Sequence, residues 1–100
     1  AYNAGRHLYT LESNVRTASS NISSKENEMD RIDEDIRKKE AALIASETTI
    51  EDRVLLLADL KKLSERTGEL ANEIENLYEE RARHRLELEN YQAAVANYGY

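Results

Sequence analysis

Apolar side chains recur at alternating steps of three and four from Leu8 onward. The series runs Leu8, Leu11, Val15, Ala18, Ile22, Met29, Ile32, Ile36 and Leu43, with Lys25 and Lys39 at the intervening turns. A helix of 3.6 residues per turn returns such positions to one face, so the spacing predicts an amphipathic, coiled-coil-like helix. Gly5 disfavours an earlier start and places the onset near Arg6. The serines and asparagine of residues 19–24 each cost about half a kcal/mol against alanine in a helix. Ser23 and Glu26 also fit a capping box. The seam nevertheless keeps its phase through Ile22, which favours one continuous helix. Asn21-Ile22-Ser23 matches a glycosylation sequon and, without a secretory signal, is read as a chance match.

The next punctuation comes at residues 45–52. Thr48 with Glu51, and Thr49 with Asp52, match the hydroxyl-x-x-acid pattern of a helix N-terminus. The seam can also be followed straight through this stretch as Leu43, Ser46, Ile50, Arg53, Leu57 and Leu60. Beyond it come Leu63, Thr67, Leu70, Ile74, Leu77, Arg81, His84, Leu88, Tyr91, Val95 and Tyr98. On that path the step from Leu60 to Leu63 is three where four is due, a stammer if the coil is continuous. Val54, Leu55, Leu56, Leu57, Leu60 and Leu63 together cover more of the circumference than one partner helix can bury.

Two architectures compete, a hairpin and a single rod. Tyr2 and Tyr9 lie near one end of the sequence, Tyr91, Tyr98 and Tyr100 near the other. A hairpin folded at residues 47–48 sets position i opposite roughly 95 minus i and brings the two tyrosine groups together. The expected fold is therefore all-α, one domain over residues 1–100. It is a long antiparallel helical hairpin with helix 1 at about 6–46, a turn at 46–49 and helix 2 at about 49–97, assembling into a bundle. The alternative is one continuous parallel coiled coil.

Composition agrees with helix. Charged residues make up 34%, glycines number three, and proline, cysteine, phenylalanine and tryptophan are absent. The net charge of −6 gives no basic surface for nucleic acid. No apolar run is long enough to span a membrane. No signal-peptide pattern opens the chain, and a start at Ala1 rather than Met leaves processing or trimming open. Soluble and cytoplasmic is the default expectation for its location.

Candidate chemistry is thin. Glu34-Asp35, Glu51-Asp52 and Glu79-Glu80 are carboxylate pairs of the kind found on solvated helix faces. Glu80 and His84 share a helix face, and the hairpin would bring His7 within about a turn of His84, but the position three before His84 is Arg81 rather than an acid. Arg81, Arg83 and Arg85 fan around the helix among acids. The expectation is no enzyme activity, no catalytic residue, no metal and no cofactor.

What remains is association. A single seam without phenylalanine or tryptophan struggles to offset the ordering entropy of about 1–2 kcal/mol per residue. Self-association, as a dimer or higher oligomer, is expected through Leu8, Leu11, Val15, Ile22, Met29, Ile32, Ile36, Leu43, Ile50, Leu57, Leu60, Leu63, Leu70, Ile74, Leu77 and Leu88. The five terminal tyrosines are the candidate surface for another protein. The function read from this is a structural or assembly protein that scaffolds or spaces a larger complex, such as a virion or secretion assembly. A small helical regulator or chaperone that binds one partner protein is the alternative.

Overall fold

The computed structural model describes the backbone of residues 2–98 and the side chains of residues 5–98. It contains two helices, α1 (Tyr2–Ile44) and α2 (Ile50–Asn97), packed against each other as a hairpin. The continuous rod is not formed, because helical structure stops at residues 45–49.

The stop is built by the two threonines, one serving each helix. Thr49 caps α2: its hydroxyl oxygen accepts the Asp52 amide at 3.1 Å, satisfying one of the free donors of the first turn. Glu51 and Asp52 lie in that turn, where negative charge opposes the helix dipole. Thr48 closes α1, its hydroxyl donating to the Ala42 carbonyl, which also accepts the Ala45 amide at 3.2 Å. From the first turn of α2, Arg53 Nη2 donates back to the Ala45 carbonyl at 3.4 Å. Orphan carbonyls at the end of α1 and an orphan amide at the start of α2 thus find partners within the turn itself.

At its other end α1 begins at Tyr2, so Gly5 lies inside the helix rather than before it. A Cβ at Gly5 would meet nothing within 4 Å, so the glycine reflects no crowding there. Helix ends fray, so a glycine there forfeits less than the entropic cost of about 1 kcal/mol that it carries in a helix interior. Helix α1 also runs unbroken through residues 19–24, where Ala18 and Ile22 are buried and hold the soft segment to the seam.

Two compact units make up the chain. The turn unit, residues 24–73, holds the reversal and the helical segments beside it. There Lys25 faces Glu73 at 3.2 Å, Arg66 reaches Glu28 at 2.9 Å, and Lys39 reaches Asp59 at 3.8 Å. The terminal unit joins residues 1–23 with 74–100. In it His7 meets Tyr91 edge to face at 4.8 Å between ring centres, and Arg81 donates to the Ser19 hydroxyl at 3.3 Å. These pairs centre the fold near Thr49, a residue or so later than the sequence suggests.

The α1 seam appears as its spacing predicts: every position from Leu8 to Leu43 in that series is buried or half-buried. The α2 seam does not follow the expected path. Its inward positions are Arg53, Leu56, Leu60, Leu63, Thr67, Leu70, Ile74, Leu77, Arg81, His84, Leu88, Tyr91 and Val95, at strictly alternating steps of three and four. No stammer exists. The apparent slip came from carrying the α1 phase across the turn, where the non-helical residues free α2 to begin a phase of its own. Leu56 takes the seam position, and Ile50 and Leu57 stay 76% and 54% exposed.

Candidate interaction surfaces

The seam itself is a mixed layer. Among the described residues Leu11, Ala18, Ile22 and Leu70 are buried, and the remaining seam positions are half-buried. Two helices cover each other along one stripe only, so a leucine packed between them keeps a side open to solvent. The predicted residues Leu8, Val15, Met29, Ile32, Ile36, Leu43, Leu60, Leu63, Ile74, Leu77 and Leu88 all fall in this half-covered class.

Polar seam members find partners locally or on the opposite helix. Lys39 lies 3.5 Å from Asp35 as well as facing Asp59, and Thr67 returns its hydroxyl to the Leu63 carbonyl at 2.9 Å. Arg81 sits over the Tyr78 ring at 4.8 Å. His84 Nε2 is 3.5 Å from Glu80, while its Nδ1 is buried without a hydrogen-bond partner. Arg66 is the hub of the turn unit. Its Nε and Nη2 both donate to Glu28 Oε1, at 3.2 and 2.9 Å, and its Nη1 reaches Glu69 at 3.1 Å and Glu73 at 3.7 Å. Hydrogen bonds to Glu28 first, then to Glu69, hold the guanidinium above its usual range. Such cross-helix pairs add modest stability at half-exposed sites and fix the register in which the helices meet.

Exposed apolar side chains cluster at two places among the described residues. In the terminal unit Tyr91 is half-buried against His7, whereas Tyr9 and Tyr98 are 67% and 81% exposed. The Arg16 guanidinium lies 5.8 Å from the centre of the Tyr9 ring. Tyr2 and Tyr100, the other members of the predicted tyrosine surface, lie outside the residues whose side chains are described.

The second surface lies in the turn unit and was legible only as the breadth of the 54–63 apolar cluster. Ile44 is 84% exposed, Ile50 76%, Val54 61%, Leu55 64% and Leu57 54%. Ile44 stands one residue past the seam position Leu43. Val54 and Leu57 likewise stand one past Arg53 and Leu56. In antiparallel right-handed helices, positions one past the seam on each strand turn to the same side, so these residues share one flank of the hairpin. Leu55 stands one before the seam position Leu56 and turns to the opposite flank.

Catalytic and metal geometry is sparse. Glu80 and His84 come together, but His7 is engaged with Tyr91, and the described residues contain no group of three or more potential metal ligands. Among the described residues, one open groove is lined by Ser24, Glu28, Arg31, Ile32 and Asp35, and another by Gly5, Arg6, Tyr9 and Thr10. Among the described residues no helix is long and apolar enough to cross a membrane. No protein-family model, curated protein or solved structure matches the chain.

Proposed function

We propose that the chain is a non-enzymatic structural or assembly protein that associates with itself and spaces or scaffolds a larger complex. The observation that supports this reading most is the set of exposed aliphatic side chains beside the turn, in a hairpin with four buried side chains among those described. Apolar surface of that kind in so thin a fold gains by meeting another surface. Sedimentation equilibrium of the purified chain tests the reading. A defined homo-oligomer at micromolar concentration is expected, and a well-folded monomer across the concentration range overturns it.

The exposed Tyr9 and Tyr98 favour a second reading, a small helical regulator or chaperone docking one partner protein through the terminal unit. Stoichiometry separates the two. An assembly protein keeps its homo-oligomer when a binding protein is added, whereas a regulator exchanges it for a hetero-complex that Tyr9→Ser and Tyr98→Ser weaken.

A further inference from the structure

We propose that two copies of the chain pair about a two-fold axis through the exposed flank of α2 beside the turn, with their α2 helices antiparallel. This rests on the self-association proposed above and names its surface and geometry.

Ile50, Val54 and Leu57 are spaced by four and three, so they form a short second seam rotated about 100° from the one that meets α1. Ile44 extends the same flank from α1. Together they expose on the order of 500 Å² of apolar surface, at the upper end of what a monomer tolerates. Two such patches facing each other amount to about 1,000 Å² in total, the lower bound for a specific interface.

The rim selects the occupant. Glu47 and Glu51 precede the apolar residues, and Lys61, one past the seam position Leu60, follows them on the same flank. None of these three takes part in an ion pair among the described residues. A second copy laid antiparallel, with the axis midway between Val54 and Leu57, sets Val54 of each chain against Leu57 of the other. Ile50 then rests on the aliphatic stem of Lys61 from the second copy, whose ammonium reaches toward Glu47 and Glu51. Parallel alignment instead sets acid against acid and lysine against lysine. One patch that carries both an acidic and a basic end is complementary to itself only when reversed, which is what an isologous two-fold interface requires.

The chain has no cysteine, so single thiols report the geometry directly. Val54→Cys mixed with Leu57→Cys should form a disulfide-linked heterodimer on mild oxidation. That product should exceed the homodimers of either variant and those of an Asn72→Cys control. Independently, Lys61→Glu should weaken association severalfold, and adding Glu47→Lys with Glu51→Lys should restore it. Dominant Val54→Cys homodimers, or association indifferent to charge reversal, overturns the interface while leaving self-association standing. Wild-type chain that stays monomeric at every concentration overturns both.

Discussion

Leu56 and Leu57 are adjacent in sequence and stand on different sides of α2, Leu56 half-buried in the seam and Leu57 54% exposed. Their separation follows from the phase that α2 adopts after the turn. Leu56→Ala should therefore lower stability by about 2 kcal/mol, the low end for truncating a partly covered leucine. Leu57→Ala should change the isolated hairpin by no more than ~0.5 kcal/mol, as at other surface positions. Urea titrations of both variants, at concentrations low enough to suppress association, check the phase. A larger loss for Leu57→Ala than for Leu56→Ala would return the seam to Leu57.

The turn depends on side-chain hydroxyls. Replacing Thr49 with alanine removes the cap on α2 and should cost about 1 kcal/mol. Thr48→Val keeps the side-chain shape but removes the donor to the Ala42 carbonyl, and it should destabilise in the same direction. Thermal unfolding followed by circular dichroism measures both. A Thr49→Ala chain as stable as wild type would mean that the cap is not what starts α2.

Gly68 offers a test in the stabilising direction. It lies in the interior of α2, and a Cβ there would meet nothing within 4 Å. Gly68→Ala should therefore raise stability by about 1 kcal/mol through helix propensity alone. The position falls beyond the stretch that two antiparallel α2 helices would share in the proposed pair, so association should be unchanged. Loss of stability or of association would reveal a close approach at Gly68 by another chain.

Much of the fold could be read from spacing. The α1 seam from Leu8 to Leu43 needed only periodicity, because nothing interrupts its phase. The reversal was signalled locally by Thr48 and Thr49 and at a distance by the tyrosines at both ends. The α2 phase was harder, because Val54 to Leu57 is continuously apolar and any of those residues could have taken the seam. Carrying the α2 steps of three and four back from Leu63 and Leu60, rather than forward from α1, selects Leu56. The exposed flank was hidden for the same reason: an apolar residue shows its outward position only once the inward one is assigned. The helix start at Tyr2 was missed because a glycine near a helix end costs less than its interior propensity implies.

Most directly at issue is whether this thinly buried hairpin relies on association for its stability. Thermal unfolding of the wild-type chain at two concentrations a hundredfold apart measures that linkage. If copies associate in the folded state, the midpoint rises by several degrees with concentration, reflecting mass action of about 2.7 kcal/mol for a hundredfold change. A midpoint that does not move, in a chain that sediments as a monomer at both concentrations, would contradict the account.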